Sequence, residues 1–183
     1  MKNEQRQQIL SRLNGRSRVA AFEAAKTVWE YSDPRLERPL IQTLKHGRRP
    51  FNRAAAAFAM QMVTSPRTIK ALEKVVRNRS ESTLVRGEAA EALAHCHRQR
   101  SHEVLLAALQ DPSKEVRFWC AFSLGEMAEK RALVSLRRLT DSDKRMVKGF
   151  HSVAKEAADA IENIQTAKVA HRRRNGCVFC VRA

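Results

Sequence analysis

Residues that interrupt helices are scarce in this sequence. Among its 183 residues there are 6 glycines and 5 prolines, and they fall between segments whose apolar residues recur at helical spacing. This scarcity favours an all-α fold. The length suffices for one domain or a short solenoid.

Long apolar runs are missing, and cysteines are few. No run approaches the ~18 residues that a membrane span requires, and the first residues, MKNEQRQQIL, are polar and do not form a secretory signal. The sequence therefore predicts a cytoplasmic protein without a membrane segment. Two of the 4 cysteines lie inside helical patterns, so they do not make a disulfide framework.

Acidic residues are outnumbered by basic ones. The chain has 35 Lys and Arg against 19 Asp and Glu, a net charge of +16, and a predicted pI of about 10.7. Such a protein attracts polyanions, which include nucleic acid, acidic proteins and anionic membrane surfaces. The charge bears on the partners of the protein and not on its fold.

One helical pattern recurs along the chain. It is complete between Leu84 and Ala128, and its helix-opening positions, spaced 32, 33, 31 and 37 residues apart, are Ala20, Asn52, Val85, Val116 and Val153. Each of these inner helices has a small residue where a neighbouring helix must approach closely, at Ala24, Ala56, Ala89, Cys120 and Ala157. Repeats of this size predict stacked helix pairs, because a single pair cannot bury both of its apolar stripes.

Several motifs carry a resemblance to a known family. They are Asp33-Pro34-Arg35, Val85-Arg86 with Ala89-Ala90-Glu91-Ala92-Leu93, and Asp111-Pro112 with Val116-Arg117. This pattern resembles the HEAT repeats, in particular the short PBS-lyase-like class. The resemblance covers about residues 5 to 165 and implies a right-handed α-solenoid of about five HEAT-like helix pairs. We assign residues 1–165 to this solenoid and residues 166–183, where the pattern has stopped, to a basic C-terminal tail with a CxxC. It also implies that Arg53, Arg86 and Arg117 pair with loop aspartates, for which Asp111 and Asp141 are the candidates.

Two enzymes that resemble these repeats bear on catalysis. Deoxyhypusine hydroxylase holds two irons with His-Glu pairs at the starts of inner helices, and the equivalent pairs here are Ala54-Ala55, Gly87-Glu88, Phe118-Trp119 and Lys155-Glu156. None contains histidine, so we reject that activity. The phycobilin lyases also resemble this class, and although no residue here specifies a bilin site, that activity stays open. We therefore expect a non-catalytic protein without a cofactor.

Cysteine and histidine clusters are the candidates for metal binding. Cys177 and Cys180 form a single CxxC, half the ligand set of a structural zinc site, and we interpret them as two tail thiols. His95, His97 and His102 surround one loop with no carboxylate placed by the spacing, which predicts solvated histidines. We therefore predict no metal site.

Aromatic and acidic residues are expected to share the concave side of the inner helices. At 100° per residue, the positions opposite the buried stripe are Phe22, Trp29, Phe58, Met62, Glu88, Glu91, Phe118, Trp119, Phe122 and Glu126. An exposed apolar and acidic groove is typical of a protein or peptide site. The alternative for each ring is that neighbouring repeats or the long loop before the last helix cover it.

Basic residues are expected along one edge, in the loops that join each outer helix to its inner helix. They are Lys45, Arg48, Arg49, Arg77, Arg79, Lys114, Lys144, Arg145 and Lys148. Such a ridge is suited to a phosphate backbone or to solvent. The sequence therefore predicts a scaffold that binds a protein or peptide, with nucleic-acid binding through this edge and the basic tail as the alternative.

Overall fold

The computed structural model describes residues 1–63, 65–95 and 99–171. In this part of the chain there are ten α-helices and no β-strand. The helices are α1 Asn3–Leu13, α2 Arg18–Tyr31, α3 Glu37–His46, α4 Pro50–Ala59, α5 Pro66–Arg77, α6 Thr83–Ala94, α7 Gln99–Ala108, α8 Lys114–Glu126, α9 Leu133–Ser142 and α10 Val153–His171. None of these helices combines the length and the apolar character that crossing a membrane requires.

The helices form two layers of a solenoid. The even-numbered helices pack against one another in chain order as an inner layer, and each odd-numbered helix packs on the inner helix that follows it. The predicted helix openings lie within the first three residues of α2, α4, α6, α8 and α10. The all-α solenoid of five helix pairs is therefore confirmed over the described residues.

Serine and proline residues set the beginnings of several helices. The Ser17 hydroxyl accepts a hydrogen bond from the backbone N–H of Ala20, and the Ser113 hydroxyl accepts one from Val116. Ser65 caps α5 in the same way, with Pro66 at the first helical position. Such caps satisfy backbone donors that the first turn of a helix leaves unpaired.

Small side chains hold the inner layer together. Ala24, Ala56, Ala89, Cys120 and Ala157 are all buried. Gly125 of α8 extends this contact to α10, because a Cβ atom on it would lie 2.8 Å from the Cα of Ala160. Adjacent inner helices can approach this closely since no bulky side chain separates them.

Arginines link successive repeats at the loop edge. Arg86 donates to Asp111 at 2.5 Å, and Arg53 donates to both oxygens of Glu81 at 2.7 and 2.8 Å. Arg117 pairs at 2.7 Å with Asp143. The expectation that Asp141 serves as a partner was wrong, since Asp141 is exposed in the last turn of α9, whereas Asp143 follows that helix and is buried.

The last described helix extends beyond the predicted boundary at residue 165. Helix α10 continues to His171 and so crosses that boundary. Cys96, His97, and the stretch 172–183 with Cys177 and Cys180 lie outside the described residues.

The contact between inner helices predicts a strong effect of side-chain size. Ala89→Leu inserts three carbon atoms between packed helices, so we expect it to lower the free energy of unfolding by about 1–3 kcal/mol. Ala107→Leu is the matched control, because Ala107 is exposed on α7, and it should change stability little. Urea denaturation measures both, and equal losses would contradict the packing described here.

Candidate partner-binding groove

The outer helices cover one side of the inner helices. We call the opposite, uncovered side the inner face. On α2 and α4 it carries an aromatic patch formed by Phe22, Trp29 and Phe58. The Trp29 and Phe58 rings stack with centroids 5.3 Å apart, and the Phe22 ring lies 6.0 Å from Phe58. Trp29 is 41% exposed, and Met62, in the single turn after α4, is 40% exposed. The apolar surface of these two repeats is therefore open to solvent.

A second aromatic cluster lies on α8 and on the loop before α10. Trp119 contacts the rings of Phe118, Phe122 and Phe150 edge-on, with centroids 5.2 to 5.7 Å apart. Trp119 and Phe122 are half-buried, while Phe150 is 51% exposed. Phe150 was not among the predicted groove residues, because it lies in a loop to which helical periodicity assigns no direction.

Phe118 does not line the groove. It is 2% exposed and packs with Val147 and Val153 in a small cluster of its own. The loop before α10 returns over it, closed by a hydrogen bond from the N–H of Val147 to the carbonyl of His151 at 3.2 Å and by Gly149 at a φ of +83°. The prediction of an exposed Phe118 was wrong because the angle along a helix does not reveal what a distant loop covers.

The Trp119 ring is seated on the backbone of the neighbouring inner helix. A Cβ atom built on Gly87 of α6 would lie 2.8 Å from Cδ1 of Trp119. Glycine inside a helix costs about 1 kcal/mol relative to alanine, so its presence at this position indicates a close approach. Gly87 is therefore the feature of the sequence from which the position of the Trp119 indole could have been predicted.

Two carboxyl groups, Glu88 and Glu91, follow Gly87 on α6. Burial and, to a smaller extent, repulsion from Glu91 raise the pKa of Glu88 to about 8, although Arg18 opposes them. Burial also raises the pKa of Glu91, against an opposing effect of Gln61. One carboxyl oxygen of Glu88, Oε2, is buried and has no hydrogen-bond partner among the described residues.

The acidic residues nearer the end of the solenoid differ in their pairing. Glu126 is exposed at the end of α8 and forms no ion pair with another described residue. His151 Nε2, in the loop before α10, lies 2.8 Å from Oε2 of Glu156 on that helix, and Lys155 of α10 pairs with Asp159. The unpaired acidic character of the inner face is therefore centred on α6 and the end of α8.

The predicted basic edge is uneven. Arg145 pairs with Asp143 at 2.6 Å, Lys114 lies 4.0 Å from Glu115, and Lys144 donates to the carbonyl of Thr140. The remaining members make no ion pair with a described residue and are exposed or, for Arg49, half-buried: Lys45, Arg48, Arg49, Arg77, Arg79 and Lys148. The unneutralised positive charge is therefore concentrated in the second and third repeats.

The predicted solvated histidines have different surroundings. His95 is exposed, but His102 is half-buried and bonds through Nδ1 to Glu129. Bonds from Arg131 to the same carboxylate lower the pKa of Glu129 to about 2, although burial opposes them. The interpretation of His102 as solvated was therefore wrong. Within the described residues, His, Cys, Asp and Glu form no group of three suited to a metal ion.

Comparison with known proteins agrees with the helical architecture. A family model described as HEAT repeats matches residues 75–150, so this segment consists of HEAT repeats. The solved complex of CpcE and CpcF of phycocyanin lyase from Nostoc sp. PCC7120 contains a similar chain, with a TM-score of 0.67 and 18% identity, over 87% of this chain and 99% of that one. No curated protein sequence matches this chain.

The seat of Trp119 on α6 can be tested with Gly87→Ala. The added methyl group should displace the indole toward solvent, because the ring and the backbone already touch. In a Trp29→Phe background, Trp119 fluorescence should shift to longer wavelength and become easier to quench. Circular dichroism controls for loss of helix, and an unchanged emission spectrum would exclude this contact.

The raised pKa of Glu88 predicts an effect of pH on stability. With a folded pKa of about 8 against an ordinary value of 4.5, folding favours the protonated acid, so ionisation destabilises the protein increasingly as the pH rises through that window. Glu88→Gln should therefore melt higher than the wild type at about pH 8.5, with the difference shrinking toward about pH 4.5.

Glu126→Gln is the matched control for this measurement, because it makes the same substitution at an exposed site on the next inner helix. It should shift the melting temperature little at either pH. A pH-independent difference between Glu88→Gln and the wild type would contradict the burial of this carboxyl group.

Proposed function

We propose that this HEAT-repeat chain is a non-catalytic scaffold that binds a protein or peptide partner along its inner face. The observation that carries the proposal is the open aromatic surface of the first two inner helices. Trp29, which stacks on the Phe58 ring, and Met62, in the turn after α4, are each about 40% exposed. Large apolar side chains grouped on a surface typically mark interaction sites, and tryptophan is prominent among interface anchors.

The order of surfaces along the inner layer suggests what the partner offers. The aromatic patch on α2 and α4 comes first, the carboxyl groups of Glu88 and Glu91 on α6 follow, and the rings of Trp119 and Phe122 on α8 come next. A complementary segment has two apolar anchors separated by a basic side chain. That basic group would supply the partner that Glu88 Oε2 lacks.

Charge on the inner face favours a protein partner over nucleic acid. Glu126 is exposed, and Glu88 and Glu91 are half-buried. Burial raises the pKa values of Glu88 and Glu91, but in their ionised forms all three carboxylates repel phosphate groups. Charge complementarity with a basic partner acts mainly on its rate of association and its orientation. The apolar anchors would then contribute most of the affinity.

The comparisons support a protein partner in one respect. The solved structure with the similar fold is a complex of two proteins, and solenoids present extended surfaces to their partners. The lyase activity in its title is not carried over, because likeness at 18% identity establishes the fold alone. The proposal for this chain is binding without catalysis.

A comparative capture experiment tests the proposal. Wild-type protein and the Trp29→Ala/Met62→Ala variant are used as baits in nuclease-treated native lysate, and proteins lost with the variant are identified, purified and titrated calorimetrically. We expect the purified partner to bind the variant about tenfold or more weakly, as removal of two interface anchors implies. The melting temperature should change little, since both side chains are partly exposed.

Val134→Ala is the matched control, because Val134 is 61% exposed on the outer helix α9 and should leave binding unchanged. Two outcomes would overturn the proposal. In one, the same proteins bind the wild type and the double variant equally. In the other, proteins are captured from untreated lysate but none from the nuclease-treated lysate, which would show that nucleic acid carried them.

A further inference from the structure

A basic groove runs between the outer helices α3 and α5, on the side of the solenoid opposite the inner face. It has a volume of about 690 Å³ and is lined by Ile41, Gln42 and Ala71 together with five basic residues. The basic residues, which we call the groove cations, are Arg38, Lys45, Arg67, Lys70 and Lys74.

The helical period places the groove cations of each helix on one side of that helix. Arg38 and Lys45 are seven residues apart on α3, and Arg67 and Lys74 are seven apart on α5 with Lys70 between them. Residues at such spacing share one side of a helix, and each row spans about 10 Å at the helical rise. The groove therefore has a row of positive charge on each of its two helices, with the half-buried Ile41 and the buried Ala71 as the apolar part of its lining.

No described carboxylate neutralises these rows. None of the groove cations forms an ion pair within the described residues, unlike Arg53, Arg86 and Arg117 of the inner helices. Of the carboxylates on the same two helices, Glu37 accepts a bond from Ser65, and Glu73 is buried and accepts one from Ser101. The charge of the groove is thus left for an external anion.

The fold itself does not need this arrangement. Lys70 and Lys74 are four residues apart on one helix and exposed, and like charges at that spacing destabilise a helix. An acidic residue in place of one of the two lysines would replace the repulsion by an ion pair, such as the one between Lys155 and Asp159 on α10. An anionic ligand would stabilise the groove in the same way.

We propose that the groove binds an acidic, amphipathic helix of a partner protein. Ile41 and Ala71, the apolar part of the lining, would contact the apolar stripe of that helix, and carboxylates on both of its sides would meet the two rows. The groove lining contains no aromatic ring on which single-stranded bases would stack.

This proposal is independent of the partner on the inner face, because the two sites lie on opposite layers. Trp29→Ala/Met62→Ala should leave binding to the groove unchanged. Substitutions in the groove should likewise leave capture by the inner face intact, so failure of one site is distinguishable from failure of the other.

The experiment uses three fluorescent probes and the full chain. The first is a synthetic peptide of about three helical turns with leucines on one side and glutamates elsewhere. The second has the same composition with its leucines dispersed around the helix, and the third is a DNA duplex of about 20 base pairs. Anisotropy titrations at near-physiological salt give the dissociation constants. We expect the first peptide to bind about tenfold or more tightly than either other probe.

Two charge variants locate the binding site. Lys70→Glu/Lys74→Glu should weaken binding of the amphipathic peptide about tenfold or more. The control, Arg137→Glu/Arg138→Glu, makes the same change of charge on the exposed side of α9 and should have little effect. A third variant, Ile41→Ala, should weaken binding of the amphipathic peptide and leave binding of the DNA duplex unchanged.

Four results would overturn the proposal. In the first, the amphipathic peptide does not bind, and in the second, the dispersed peptide binds as tightly as the amphipathic one. In the third, the duplex binds more tightly than the amphipathic peptide, and Lys70→Glu/Lys74→Glu weakens its binding about tenfold or more. In the fourth, both charge variants weaken binding of the amphipathic peptide equally. The third would identify the groove as a phosphate-backbone site. The last would show that only the net charge of the protein attracts the probe.

Discussion

The close approach of the inner helices is the constraint on which the rest of the structure depends. Alanines and one cysteine form their mutual contacts, as at Ala56, Ala89 and Cys120. Because the helices touch at these positions, the leucines can pack only toward the outer layer, and rings such as Trp29 and Trp119 have space only on the inner face. The Gly87 backbone, against which Trp119 lies, belongs to the same contact. Core packing and the surface available to a partner are therefore two consequences of one choice of side-chain size.

Charge follows the same division into layers. The loop edge uses Arg86 and Arg117 with their buried aspartates to hold successive repeats in register, and a buried pair of this kind is costly to break. The inner face keeps carboxyl groups on α6, while the outer groove keeps unneutralised cations on α3 and α5. The large net positive charge is thus not spread evenly, and the two faces are proposed to bind partners of opposite charge.

Most of the architecture could be predicted from sequence, because repeated spacing of small and large apolar residues leaves few ways to bury them. The prediction was less successful where a position depends on residues distant in the chain. Phe118 follows the periodicity of α8, yet a returning loop covers it, and Phe150 of that loop is exposed instead. Asp143 replaces Asp141 as the partner of Arg117, since the end of α9 decides which carboxylate turns inward. The pairing of His102 with Glu129 joins two repeats that spacing alone does not connect.

By itself, the sequence determined the helical repeats, their number and the small residues at which they stack, because local periodicity encodes which side of each helix must be buried. The tertiary structure alone decided which rings stay open, how strongly Glu88 holds its proton and where the cations remain unneutralised. Those properties depend on solvent exclusion and on charges brought together from different helices. The cations of α3 and α5 show the difference, for Arg38 and Lys74 are 36 residues apart in sequence and line one groove only after the helices have packed.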